Sequence, residues 1–206
     1  MTAIVIHPSG KRAPMSLIHL IEGPVGAGKS TFAAALATRI GGVHIALDEW
    51  FARLFSPDRP ATEVMAWYAV RKERLARHIW THAQGLLKSG AKPILELGLV
   101  QQSSRQAFYD EARAAGIDLK VYVLEASREV RRERVARRNV EQGPTFSMVV
   151  PDPIFEFASD MWQEPDPLEI EEHRIEVIST EFPGSDGWGT MQSSSGVAAM
   201  RDEPGS

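Results

Sequence analysis

The clearest chemistry in the sequence lies in a glycine-rich stretch, Gly23-Pro24-Val25-Gly26-Ala27-Gly28-Lys29-Ser30-Thr31. It matches the P-loop pattern G-x-x-x-x-G-K-[ST] at every required position. In that pattern the glycines let backbone N–H groups point into one concavity, and the following helix adds partial positive charge at its N-terminus. Lys29 is expected to reach the β- and γ-phosphates of a nucleotide, and Ser30 to ligate Mg²⁺. The stretch therefore predicts ATP and Mg²⁺ as cofactors, with all nine residues at the nucleotide.

Two carboxylates follow predicted strands. Asp48 comes directly after the second strand, where a carboxylate could orient and deprotonate an acceptor hydroxyl, or cap the next helix, or do both. Glu49 is the weaker candidate of the two neighbours. Glu96 follows the third strand and either holds a magnesium-bound water or is a buried carboxylate paired with an arginine.

An arginine-rich helix follows the fourth predicted strand, with six arginines in eleven positions: Arg128, Arg131, Arg132, Arg134, Arg137 and Arg138. Such a helix repels itself unless anions lie nearby. Three of its members share one face at i, i+3 and i+7 and suit phosphate oxygens, namely Arg131, Arg134 and Arg138. The alternatives are a solvated face balanced by Glu129, Glu133 and Glu141, or a nucleic-acid contact. We favour a phosphate-clamping lid, because the helix leads into a Gly-Pro loop that is able to move.

Arg71 stands on the apolar face of a long predicted helix. An arginine in that position is either a substrate ligand or, more commonly, a residue that reaches solvent or forms a salt bridge. Four aromatic residues in this part of the chain either line an acceptor pocket or pack in the core, which is the commoner role: Trp50, Phe51, Trp67 and Tyr68.

Alternating strands and helices position these residues. Apolar runs predict strands over residues 16–22, 43–47, 92–97, 117–124 and 174–178. Helical periodicity predicts helices over residues 29–40, 50–55, 62–89, 105–115, 126–138 and 154–162. The alternation indicates an α/β fold with a mostly parallel sheet covered on both faces. Ligands of such sheets bind beyond the carboxyl ends of the strands, where the residues above are placed.

Composition narrows the class of protein. The chain has 206 residues, a net charge of −4 and no cysteine, so disulfides and thiolate chemistry are excluded and a nucleic-acid partner gains no support. No apolar run is long enough for a membrane span, which favours a cytoplasmic protein. We expect one domain over residues 16–182, an N-terminal extension over 1–15 with Met15 as an alternative start, and a disordered tail over 183–206.

These pieces resemble the P-loop small kinases, a group that includes zeta-toxin-like and chloramphenicol-phosphotransferase-like proteins and AAA-domain predicted kinases. The matching segments are GPVGAGKST at 23–31, LDEWFARLF at 47–55, ILELGL at 94–99 and RRERVARRN at 131–139. The resemblance implies a three-layer P-loop NTPase fold whose five parallel strands run in the order 2-3-1-4-5, with a helical lid after the fourth. It also implies that Asp48 activates the acceptor and that Arg134 and Arg138 lie near the phosphates.

The sequence therefore predicts an ATP- and Mg²⁺-dependent kinase that acts on a hydroxyl of an unidentified small molecule. Two alternatives stay open. One is a kinase of nucleic-acid 5′-hydroxyl ends, and the other is a nucleotide-dependent switch that hydrolyses ATP slowly without a small-molecule acceptor. The oligomeric state is not predicted.

Overall fold

The computed structural model describes residues 16–143 and 146–181, and its centre is one five-stranded sheet. The strands are β1 Leu17–Glu22, β2 Val43–Ala46, β3 Pro93–Glu96, β4 Asp118–Glu125 and β5 Glu176–Ser179. Neighbouring strands pair in parallel in the order β2-β3-β1-β4-β5. The α/β fold and the strand order predicted above are confirmed.

Seven helices surround the sheet within the described ranges: α1 Lys29–Ile40, α2 Leu47–Leu54, α3 Val64–Lys88, α4 Gln102–Ala114, α5 Arg128–Glu141, α6 Asp152–Asp160 and α7 Pro167–His173. The sequence interpretation missed α7. Its start carries a recognisable signal, since the Asp166 side chain caps the helix by accepting a hydrogen bond from the Glu169 N–H at 2.8 Å, and Pro167 occupies the first turn.

The two faces of the sheet are covered by different helices. On one face, alternate strand residues such as Ile18, Leu20 and Leu95 pack against α2, α3 and α4. On the other face, Ile21 and Ile94 pack against α1. Strands that are buried on both faces need apolar residues at successive positions, which is why the core strands appear as continuous apolar runs.

Helices α5 and α6 form a hairpin beyond β4, where the sequence predicts a lid. The hairpin has its own small core of Val135, Val150 and Phe155. Ion pairs join its two helices, because Arg128 and Arg132 of α5 both bind Glu156 of α6. The acids that form ion pairs with the arginine helix in the described residues therefore include two on the facing helix, Glu156 and Asp160.

The predicted N-terminal extension, residues 1–15, and the predicted C-terminal tail, residues 183–206, lie outside the described residues. Among the helices that the structure describes, none combines the length and the apolar character needed to cross a membrane.

Candidate active site

The P-loop joins β1 to α1 and curls at the carboxyl end of the sheet. Gly23 has φ 144° and Gly26 has φ 81°, a region of backbone conformation that side chains disfavour. A Cβ on Gly26 would lie 2.7 Å from the carbonyl oxygen of Arg131, and one on Gly23 would collide with that of Leu124. These two glycines therefore allow the loop to pack directly under the hairpin and against β4.

Lys29 begins α1 and folds back over this loop. Its Nζ atom donates hydrogen bonds to the carbonyl oxygens of Gly23 at 2.9 Å and Pro24 at 3.0 Å. Both acceptors are neutral carbonyls. Within the described residues no carboxylate forms an ion pair with this ammonium group. That arrangement leaves the charge available to a phosphate.

Ser30 and Glu96 meet across the gap between α1 and β3. The Ser30 hydroxyl donates to Oε1 of Glu96 at 3.2 Å, and Nε2 of His44 lies 3.3 Å from Oε2. Burial favours a higher pKa for Glu96, but His44, Lys29 and Ser30 outweigh it and the pKa lies below its ordinary value. An anionic carboxylate beside a hydroxyl is the oxygen donor set that Mg²⁺ prefers, so these residues fit the predicted metal role.

The partners of Glu96 differ from one of the sequence alternatives. No arginine binds this carboxylate in the described part of the chain; a histidine and a serine do. His44 carries no metal-binding spacing and was not expected to contribute. His44 lies two residues before the end of β2 and Glu96 ends β3. Parallel pairing of His44 with Ile94 and of Ala46 with Glu96 brings the two side chains together.

Asp48 lies in the first turn of α2, which begins at Leu47 and not at Trp50 as expected. The helix starts from Ala46 without any side-chain cap, so the interpretation of Asp48 as a capping residue is wrong. Its carboxylate makes no hydrogen bond or ion pair within the ranges that the structure describes. Asp48 is exposed by its accessible area, although the protein atoms packed around its carboxylate raise its pKa. The Glu96 charge raises the pKa further, and Lys29, Lys72 and Arg138 oppose the rise.

Glu22 is a functional candidate that the sequence interpretation missed. It ends β1 immediately before the P-loop and is completely buried. One oxygen accepts the Leu99 N–H at 3.0 Å, while the other has no hydrogen-bond partner among the described residues. Burial raises its pKa to about 7, against the nearby Lys29 charge. The rule that selected Asp48 and Glu96, a carboxylate at the end of a strand, would also have selected Glu22.

The lid arginines have different environments. Arg138 is partly buried with an unpartnered Nε, and the charges of Asp48 and Glu96 act on its pKa, which burial lowers. Arg131 donates to the carbonyl oxygens of Ala126 and Val25, so it ties the lid to the P-loop. Arg134 binds both the hydroxyl and the carbonyl of Thr180.

The structure thus brings Lys29, Ser30, Asp48, Glu96 and Arg138 to one cleft at the carboxyl end of the sheet. Arg131 and Arg134 border the same loop, but two nitrogens of each already donate to protein atoms. Nucleotide contact by these two, and by each P-loop residue, stays a prediction.

Comparisons with known proteins agree with this arrangement. The model of the AAA domain family matches residues 18–149. Among solved structures, Kti12 of Chaetomium thermophilum in complex with ADP-AlF3 is 15% identical, with a TM-score of 0.56 over 82% of this chain and 92% of that one. A sugar kinase from a Janibacter species is 14% identical, with a TM-score of 0.52 over 82% and 86%.

A further similar structure is the Pnkp1/Rnl/Hen1 RNA repair complex, which is 20% identical with a TM-score of 0.55 over 81% of this chain and 48% of that one. A search of curated proteins found no match. At these identities the solved structures show a shared fold. Because the family model spans β1, the P-loop, Asp48, Glu96 and the arginine helix, well over half of the sequence, the chain belongs to the AAA domain family and has a P-loop kinase-like fold.

Proposed function

We propose that the protein transfers the γ-phosphoryl group of ATP to a hydroxyl of a small molecule. The observation that carries this proposal is the meeting of an uncommitted carboxylate with the phosphate-binding lysine. Asp48 has no bonded partner within the described residues, and the charges of Lys29, Lys72 and Arg138 all act on it. It is exposed in the first turn of α2, so an acceptor hydroxyl can reach its carboxylate.

In the proposed reaction Asp48 accepts the proton of the acceptor hydroxyl as its oxygen forms a bond to the γ-phosphorus. The bond between the γ-phosphorus and the bridging oxygen breaks, and that oxygen leaves with its electron pair on ADP. Lys29 and Arg138 stabilise the negative charge that spreads over the transferred group. Ser30 and Glu96 are the residues that would hold Mg²⁺, which supplies further charge neutralisation when bound.

The arginines of α5 form hydrogen bonds and ion pairs with other protein groups, and this favours a small acceptor over a nucleic acid. Arg128 and Arg132 are bound to Glu156, and Arg134 is bound to Thr180, so these guanidinium groups do not form a free basic surface. Electrostatic binding of a nucleic-acid backbone needs such a surface. A hydroxyl-bearing small molecule needs only the cleft in front of Asp48.

Two measurements test the proposal. Calorimetric titration with a non-hydrolysable ATP analogue and Mg²⁺ must show binding, or the proposal fails at its first step. Labelled ATP is then incubated with a panel of hydroxyl-bearing metabolites and antibiotics and, in a separate arm, a 5′-hydroxyl oligonucleotide. Label that appears only on the oligonucleotide identifies a nucleic-acid kinase instead.

Asp48→Asn is expected to lower transfer to the acceptor by roughly 100-fold or more, the usual contribution of a general base. Glu49→Gln is the matched control, because Glu49 lies next along α2 but its carboxylate is bound to Arg53 at 2.8 Å. We expect this control to keep transfer near the wild-type rate. If no acceptor is labelled and Asp48→Asn leaves ATP hydrolysis almost intact, the protein is a slow nucleotide switch and not a kinase. Unchanged transfer in Asp48→Asn would show that Asp48 is not the general base.

A further inference from the structure

Arg71 is an uncommitted guanidinium on the side of α3 that packs against the end of α2. It lies on α3 and is partly buried, and its Nη1 atom donates one long hydrogen bond, 3.3 Å, to the carbonyl oxygen of Trp67 in its own helix. No carboxylate forms an ion pair with it within residues 16–143 and 146–181. Most of the hydrogen-bonding capacity of this side chain is therefore unused.

Other arginines that are withdrawn from solvent have firm partners. Arg105 forms a bidentate pair with Glu169, with N–O distances of 2.6 and 2.8 Å. Arg131 binds two backbone carbonyls and the Ser159 hydroxyl. Arg138, like Arg71, forms no ion pair within the described residues, and the charges of Asp48 and Glu96 act on it. An unpaired guanidinium at a cleft is thus the exception here and suits a ligand anion.

Aromatic side chains hold Arg71 in place. Its guanidinium carbon lies 4.6 Å from the ring centre of Trp67 and 6.0 Å from that of Phe55. Phe51 packs edge-on against Trp67 at 5.5 Å and against Phe55 at 5.2 Å. Stacking of this kind fixes the plane of the fork before any ligand arrives, so less side-chain entropy is lost on binding.

The same aromatic wall leads to the proposed catalytic carboxylate. Tyr68 packs on Phe51 at 4.8 Å, and its pKa is raised by burial and by the negative charge of Asp48. Along α2, Asp48 and Phe55 are two turns apart, a rise of about 10 Å at 1.5 Å per residue. Asp48 and Arg71 therefore lie towards opposite ends of one surface, at a separation that a single small molecule can span.

We propose that Arg71 binds an anionic group, a carboxylate or a phosphate, of the acceptor molecule whose hydroxyl faces Asp48. This inference rests on the proposed function and names the substrate class: a hydroxyl compound with an anionic end. The guanidinium can donate two parallel N–H hydrogen bonds to the anionic end. The rings of Trp67 and Tyr68 offer apolar surface to the part of the acceptor between its anionic end and its hydroxyl.

The test needs no knowledge of the acceptor. The protein is saturated with a non-hydrolysable ATP analogue and Mg²⁺, so that the P-loop and the lid arginines are occupied. Inorganic phosphate and, in a second arm, acetate are then titrated while the indole N–H resonance of Trp67 is followed by NMR, with chloride as the ionic-strength control. Comparison of the two arms distinguishes a phosphate site from a carboxylate site.

We expect the Trp67 resonance to shift saturably in the wild type and Arg71→Met to weaken anion binding roughly 10-fold or more, as loss of a charge-assisted hydrogen bond does. Arg74→Met is the matched control, since Arg74 is exposed on the same helix, and should titrate like the wild type. Arg71→Lys keeps the charge without the fork and should bind with intermediate affinity, even if Arg71→Met fails to fold.

Equal anion affinity in the wild type and the Arg71 variants, or no saturable shift with either anion, overturns the inference. The affinity of the ATP analogue, measured in the same samples, answers the separate question of the proposed function. Loss of analogue binding overturns that function, whereas normal analogue binding with an unresponsive Arg71 overturns only the assignment of the anionic acceptor.

Discussion

The P-loop and the wall formed by α2 and α3 border the same cleft, but they present different parts of the chain to it. The P-loop presents backbone, shaped by glycines with positive φ, and one lysine held on carbonyl oxygens. The wall presents side chains, with Arg71 stacked on aromatic rings and Asp48 in the first turn of α2.

This difference has a physical consequence for specificity. A backbone concavity binds any nucleoside triphosphate, because its N–H groups bind phosphate oxygens and do not contact the base. A wall of side chains distinguishes acceptors, because each contact depends on the shape and charge of the group that meets it. We therefore expect changes in the P-loop to affect every acceptor alike and changes in the wall to alter the choice among acceptors.

The largest effect is expected from Lys29→Ala. Removal of the ammonium should reduce phosphoryl transfer about 1,000-fold with every acceptor, since the group stabilises charge that develops in the transition state. The measurement is labelled transfer from ATP under saturating Mg²⁺. Lys92→Ala is the control, because Lys92 also binds a backbone carbonyl, that of Ile40, on the exposed surface. Transfer within a few-fold of wild type would show that the P-loop lysine does not act on every acceptor.

A smaller effect, on stability alone, is expected from Arg105→Met behind the wall. The variant leaves Glu169 buried without its cation, which should lower the free energy of unfolding by about 3–5 kcal/mol. Arg113→Met on the same helix removes exposed pairs with Asp110 and Glu172 and should cost about 1 kcal/mol or less. Urea unfolding measures both. If the folded Arg105 variant also loses affinity for nucleotide, α4 supports the site more directly than inferred.

The smallest effect is expected from Glu22→Gln at the end of β1, and it is a change in stability that depends on pH. Because the pKa is raised from 4.5 to about 7 in the folded protein, the folded state binds more protons than the unfolded state between those values. Wild-type stability should therefore fall as pH rises through this window. The glutamine variant, which keeps an acceptor for the Leu99 N–H, should lack that fall.

The expected gain of Glu22→Gln over wild type is up to about 3 kcal/mol at pH 8, at 1.4 kcal/mol per pKa unit, and close to zero at pH 4.5. Urea unfolding at the two pH values measures it. Glu125→Gln is a suitable control, because Glu125 also ends a strand but is exposed. A gain of the same size at both pH values would show that ionisation of Glu22 is not the cause.

Much of the fold was predictable because its signals are local. The strand at 17–22, the glycine loop and the alanine-rich helix α1 follow one another in the sequence, and each has its own propensity. Errors arose where a local signal was overlooked, as at Asp166-Pro167 before α7, or where β2 passes into α2 without a polar cap at Ala46. Periodicity locates an apolar helix better than it locates the first turn.

The site residues also differ in whether a local sequence signal or the tertiary packing identifies them. Lys29, Ser30, Asp48 and Glu96 follow from a motif or from their places at strand ends, although their nucleotide and metal contacts remain predictions. Glu22 follows the same rule and was overlooked, since a residue just before the P-loop is easily counted as part of the strand. The partner of Glu96 was harder to foresee, because His44 reaches it only through the pairing of β2 with β3.

The sequence by itself determined the P-loop, the alternation of strands and helices and the positions of the strand-end carboxylates, because these depend on residues close together in the chain. Only the tertiary structure decided which charged groups are free. Six arginines in α5 look alike in sequence, yet Arg128 and Arg132 are bound to Glu156 across the hairpin, while Arg138 faces Asp48 and Glu96. Among the described residues Arg71 has no acid partner, because the packing of α3 on α2 surrounds it with aromatic rings. The charge left for a ligand depends on distant segments that pack together, and that packing is a property of the folded chain.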